Sequence, residues 1–462
     1  MSNRLPYEVI AGLDFGTTFT KCIVRNLVNE AECFPVLFEL KGGRSEYFVP
    51  SLVIRSQGRV GTPFDTEMRG DGYVHFLKMR LLGHMDPAAK PWNKSGSQEE
   101  ARSDVAFFLS HVICGIYKFV AKKWTDFGMH PDDVLRVNIC IPVGDANRAN
   151  VENEFLATLS AAYSSVKLVG GKPAAFPTYA DVSSSISNPR ADRRGWDFCA
   201  SYPETSSNLQ AFLKSPARRQ GLYIMIDVGG GTLDVSNFRY TPMLQGDWKL
   251  TYLYSEVICS GSSQIDMRLK ERIPEADITY LRALKETRSG FSGDQRQKAM
   301  AFLSDVEREI YTEVAQAMGR TLEESRSRIS PDATLAFKDL RTVRFFFVGK
   351  GFVKYPYEDA VRFFHKSWPE SPQQVALVPP SDIKWPIGMA PASLFVRFTV
   401  AYGLSFLREN LEGCKFPDQV KWQKPFPPEW YAKPAVDFED TCYMTVRQND
   451  KRVLMSISSA KI

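Results

Sequence analysis

Several common signatures are missing from this chain of 462 residues. No apolar run reaches the roughly 18 residues that a membrane-spanning helix needs, and Met1–Tyr7 has none of the features of a secretory leader. No block of Lys or Arg stands out and the net charge of +5 is small for the length, which gives no case for a nucleic-acid partner. The eight cysteines (22, 33, 114, 140, 199, 259, 414 and 442) form no C-x-x-C pair and no metal-ligand spacing. Scattered thiols of this kind fit a reduced, cytoplasmic protein.

What is present is an ordinary globular composition, 44% hydrophobic and 24% charged, on a chain long enough for two or more domains with full cores. Its most informative stretch is Leu222 to Arg239, L-Y-I-M-I-D-V-G-G-G-T-L-D-V-S-N-F-R. A run of β-formers reaches Asp227, three glycines and Thr232 follow, and the strand pattern resumes through Leu233, Val235 and Phe238. Adjacent glycines strip Cβ atoms from a turn and let backbone N–H groups converge on an anion. Asp227 and Asp234 fall at the two mouths of that turn, where carboxylates can hold a hydrated Mg²⁺ or orient a water. A G-G-G turn by itself also fits a plain hairpin.

A second copy favours the phosphate reading. Val9 to Asn26, V-I-A-G-L-D-F-G-T-T-F-T-K-C-I-V-R-N, repeats strand, aspartate (Asp14), Gly-Thr turn and strand. Neither copy is followed by the G-K-[ST] of a P-loop, and the segment after each turn alternates with the period of a strand. The rest of the chain is mixed α/β. Ser103–Lys123 reads as a strong helix, Val134–Ile141 as a buried strand stopped by Pro142, and Asp145 or Asn147 as the cap of the next helix. Asp181–Gln220, with S-S-S, N-P-R and R-R, reads as a polar insertion or loop, either partner-binding or disordered. Asp247–Ser260 reads as a strand pair, Ala283–Ser292 and Ala299–Met318 as helices, and Arg344–Val348 as a strand entering G-K-G.

The paired Asp/Gly/Thr hairpins resemble those of the actin, sugar-kinase and heat-shock chaperone superfamily. V-P-S-L-V (Val49–Val53), F-L-K-M-R-L-L-G (Phe76–Gly83) and R-F-T-V-A-Y-G-L-S in the closing stretch Ser393–Asn410 narrow the likeness to the ATPase domain of DnaK-type heat-shock chaperones. The resemblance implies an α/β fold of two actin-like lobes, duplicated ribonuclease H-like domains with a nucleotide cleft between them. Residues 1–220 would be the first lobe and 221–410 the second, with Ala401 and Gly403 at a hinge seam. Residues 411–462 would be a Pro/aromatic strap and a C-terminal hairpin, too short for the family's peptide-binding domain. The strap itself reads as a packed surface arm or a ligand site.

It further implies ATP or ADP with Mg²⁺, the ion held through water by Asp14 and Asp227. Backbone groups of Gly16, Thr17, Thr18 and Phe19, and of Gly229, Gly230, Gly231 and Thr232, would grip the phosphates, and Asp234 would help position a water. These aspartates could instead cap turns. Gly261 matches part of a further phosphate turn, Arg288 the basic residue that packs on adenosine, and Gly349 and Gly351 the adenosine motif, with Lys350 in place of a glycine. Two positions run against the family. Asp65 in V-G-T-P-F-D takes the place of a lysine that reaches the γ-phosphate, and Lys172 in G-K-P-A-A-F the place of a glutamate near the water. Lys172 could return the positive charge from the other side. Losing one oriented charge costs about 3 kcal/mol, roughly a hundredfold in rate. The expectation is a nucleotide-gated switch with a protein partner or co-chaperone and weak or absent hydrolysis. The alternatives are an actin-like filament subunit, a binding-only scaffold and, last, a small-molecule kinase. The sequence leaves the oligomeric state open.

Overall fold

The computed structural model describes residues 4–415 except 30–31, 57, 68–71, 86–95, 142–147, 189–193, 217, 243–247, 290, 292, 328–342, 350–353, 367–372, 387–390 and 408–413. The chain is mixed α/β and is built on two six-stranded sheets. The expected Asp145 or Asn147 cap, Gly351, the strap beyond Lys415 and the terminal hairpin lie outside the described residues.

The first hairpin pairs β1 (Glu8–Phe15) with β2 (Phe19–Asn26), and β3 (Cys33–Pro35) continues the sheet antiparallel to β2. The small strands β4 (Phe38–Glu39) and β5 (Ser45–Glu46) form their own hairpin, while β6 (Val49–Pro50) joins β2. A three-stranded sheet follows from β7 (Val53–Ser56), β8 (Arg59–Gly61) and β9 (Tyr73–Val74). Helix α1 (Leu77–Leu82) then leads to α2 (Gln98–Lys123), capped by Ser97 and carrying Glu99 and Glu100 in its first turn, where they complement the helix dipole. By length and composition α2 could cross a membrane, but 89% of its apolar window is buried in the core. On the other side of β1, β10 (Val134–Ile141) lies parallel to it, and α3 (Arg148–Ser165) packs on α2. A short hairpin, β11 (Leu168–Val169) and β12 (Lys172–Pro173), follows.

The expected polar insertion at 181–220 is corrected. That stretch contains most of α4 (Tyr179–Ser187), then α5 (Arg194–Phe198), β13 (Cys199–Pro203) and α6 (Glu204–Lys214). β13 pairs parallel with β10, and every residue of α6 from Thr205 to Leu213 is buried. Its polar letters misled because Ser206, Ser207, Asn208 and Gln210 face protein rather than water.

The second sheet repeats the connectivity of the first. β14 (Gly221–Val228) and β15 (Leu233–Pro242) form the hairpin and β16 (Trp248–Ile258) pairs antiparallel with β15. The expected strand pair at 247–260 is therefore one long strand, with a bulge against Asn237/Phe238. Helices α7 (Ser262–Arg272), α8 (Ile278–Thr287) and α9 (Gly293–Ser327) follow. β17 (Arg344–Gly349) lies parallel to β14, α10 spans Asp359–Lys366, β18 (Gln373–Gln374) extends the sheet, and α11 (Pro391–Leu404) and β19 (Cys414–Lys415) close the described chain.

Each sheet has its own apolar core, on α2 and α3 in the first and on α9 in the second. A third cluster joins them, with Ile23 and Cys33 from one sheet, Tyr223, Phe238 and Phe346 from the other, and Phe395, Phe398 and Tyr402 from α11. α11 packs on α6, β1 and β17. Small residues make that seam close: a Cβ on Gly12 would collide with the Ala401 carbonyl, and one on Gly403 with the Ser207 carbonyl.

Candidate functional site

Both hairpin turns open on one cavity of about 590 Å³, within the size range of small-molecule sites. Its walls bring together Asp14, Gly16, Thr17, Thr18 and Phe19 from the first turn with Asp227, Gly229, Gly230 and Thr232 from the second, and Gly349 from the end of β17. The turns touch, since Gly230 and Gly231 pack on Thr17 and Thr18, and the Thr18 and Ser263 hydroxyls are 3.0 Å apart. Gly231 and Gly261 therefore support the turn rather than line the cavity: the Gly261 N–H donates to the Gly231 carbonyl at 3.2 Å, and Gly261 caps α7. Gly349 has a φ of +81°, and an added Cβ would fall 2.5 Å from the Val228 carbonyl and 2.6 Å from Asp227 Oδ1. No side chain fits there.

The two hairpins differ in charge. Asp14 stands opposite Lys21 across β1–β2 and pairs with it at 2.5 Å. Asp227 stands opposite Asp234 across β14–β15, and both are buried. Burial, then the charges of Glu204 and Asp14, raise Asp227 to about 7, even though Asn208 Nδ2 donates to it at 2.5 Å. Burial, then Glu204 and Asp227, also push Asp234 well up, and the Thr232 hydroxyl donates to Asp234 at 3.2 Å. Asp234 sits behind the wall, beside Asp227. Asn208 also accepts from the Thr399 hydroxyl at 2.6 Å, so α11, α6 and Asp227 are linked in series.

Among the residues not singled out from the sequence are two of the cavity wall and one buried behind it. Lys78 of α1, 3% exposed, pairs with Glu204 at the start of α6 at 2.8 Å and has its ammonium 3.8 Å from Cys140 Sγ. Burial alone would lower the Lys78 pKa, but Cys140, Glu204 and Asp14 outweigh it and hold the ammonium above the usual lysine range. The third is Asn208. The sequence signals for them were a lone lysine inside the apolar run L-K-M-R-L-L and a Pro-Glu-Thr opening a helix straight after a strand.

Other expected site residues lie elsewhere. Lys172 is exposed on the β11–β12 hairpin, which packs on α2, and it does not line the cavity. Asp65 accepts from the Thr62 N–H at 2.7 Å and lies 3.9 Å from His111, so it caps a turn. The charge reversal expected at this pair does not touch the cavity, because the residues that occupy its wall are Lys78 and Glu204. Arg288, just past α8 with a φ of 56°, pairs with Glu307 at 2.9 Å and is not on the cavity wall. The basic residues that α8 presents there are Arg282 and Lys285, both on Asp266.

Some of these side chains carry donor atoms that could hold a cation. Asp14 and Asp227 offer carboxylate oxygens, the donor type that hard divalent cations take. Asp14, Cys140 and Glu204 also place three ligand atoms within 4.8 Å of one another. No protein-family model matches the chain, and no curated protein matches it.

Proposed function

We propose that the chain is a two-lobed, actin-like nucleotide-binding protein resembling the ATPase domain of DnaK-type heat-shock chaperones, and that it works as an ATP-gated conformational switch. The observation that carries this reading is the joining of two Asp/Gly/Thr hairpin turns on one cavity whose wall also holds the Lys78–Glu204 pair. The shared connectivity of the two sheets supports the duplicated fold, with a nucleotide cleft between the lobes.

Asp14 and Asp227 would hold Mg²⁺ through water, and the cation supplies charge neutralisation to the β- and γ-phosphates. The backbone of Gly16–Phe19 and of Gly229, Gly230 and Thr232 grips the phosphate oxygens, with Gly231 supporting the turn behind them. Lys78 presents a fixed positive charge and Glu204 holds it in place. Asp234, which accepts from the Thr232 hydroxyl, and Thr232 orient groups beside Asp227. The reason for expecting impaired turnover was the pair Asp65 and Lys172, which stands outside the cavity, so hydrolysis belongs to this proposal. A partner protein reads the relative position of the lobes through α11.

Calorimetric titration with Mg²⁺-ATP and Mg²⁺-ADP, followed by phosphate release on the same samples, tests the reading. Micromolar or tighter binding with measurable release is the expected result. Binding without release would leave a binding-only scaffold, and no binding of either nucleotide would overturn the reading.

A further inference from the structure

Arg397, near the middle of α11, lines the cavity beside Val396, Thr399 and Val400. Its guanidinium carbon lies 3.3 Å from the centre of the Phe48 ring, so the aromatic face braces the planar group. The other cationic side chains on the cavity wall each hold a carboxylate: Lys21 pairs with Asp14, Lys78 with Glu204, and Arg282 and Lys285 with Asp266. Among the described residues, Arg397 holds none. Burial pulls its pKa down to about 10, and no neighbouring acid offsets that effect. A guanidinium taken from water without a counter-ion is costly unless an anion arrives to meet it.

We propose that Arg397 is an oxyanion-binding residue of the cavity and takes the oxygens of a phosphate group, either the terminal phosphate of a nucleotide or free inorganic phosphate. The planar fork of N–H donors matches two phosphate oxygens at once, which a lysine ammonium cannot do. The proposal rests on the phosphate-cavity reading above, and it adds a contact made from α11, outside both turns. A ligand that engages Arg397 also touches the helix that packs on both sheets.

The test uses the full chain and two substitutions, Arg397→Gln and Arg397→Lys, titrated with Mg²⁺-ATP, Mg²⁺-ADP and inorganic phosphate. If the terminal phosphate is the ligand, Arg397→Gln weakens ATP about tenfold or more and leaves ADP within about twofold, with Arg397→Lys between, because it keeps the charge and loses the fork. If free phosphate is the ligand, Arg397→Gln removes phosphate binding and leaves both nucleotides unchanged. A second measurement needs no variant: ATP or phosphate, and not ADP, should shield Arg397 of the natural chain from phenylglyoxal, read by mass spectrometry. Unchanged binding of all three ligands by Arg397→Gln, or no shielding by any of them, overturns the proposal while the nucleotide reading stands. Failure of the natural chain to bind any of the three overturns both.

Discussion

Lys78 and Glu204, 126 positions apart in the chain, pair at 2.8 Å on the wall of the cavity. Each is held by a different element, α1 and α6, so the pair exists only in the folded state. Lys78→Met leaves the Glu204 carboxylate without its partner. Phosphate release is expected to fall about a hundredfold, with nucleotide binding retained within severalfold. Single-turnover release and calorimetry on the same variant check this, and equal losses in both would contradict the assignment.

Lys172→Met and Asp65→Ala give the opposite expectation. Since neither residue lines the cavity, phosphate release should stay within about twofold of the natural chain, the usual range for changes remote from the chemistry. A large loss in the Lys172 variant would restore a role for that residue.

The Asp227 carboxyl is raised from the ordinary 3.8 to about 7, so the folded state keeps a proton that the unfolded chain gives up. The stability this group contributes is full below pH 3.8 and is lost as pH rises through about 7. Without divalent cation, Asp227→Asn should lose less stability than the natural chain between about pH 5 and pH 8, as read by thermal unfolding. Mg²⁺ should raise the melting temperature of the natural chain at about pH 8 more than that of the variant.

Gly403→Ala places a methyl group against the Ser207 carbonyl at the α6–α11 seam. Backbone cannot step aside cheaply, and the expected loss is about 1–3 kcal/mol, measured by chemical denaturation. A neutral result would mean that the helices separate there without cost.

How far the sequence reached depended on which side chains face water. The two hairpins were legible because glycine and threonine turns between runs of β-formers carry their own geometry, and Ser393–Asn410 because Ala401 and Gly403 mark a close approach. The stretch 181–220 was not. Glu204, Ser207 and Asn208 are polar because they serve the cavity and the seam, and polar letters in sequence read as exposure. Lys172 and Asp65 were misassigned for a related reason. A charge in a suggestive string carries no register, and the lysine and glutamate that meet come from α1 and from the start of α6, just after β13.

The two hairpin turns, alike in strand pairing, are electrically unlike. At the first turn an aspartate is neutralised across the hairpin by Lys21, whereas at the second an aspartate faces an aspartate. A cation shared by Asp14 and Asp227 would therefore relieve more crowding of carboxyl groups on the second side than on the first. Two hairpins of matching topology thus present unequal charge to whatever enters between them.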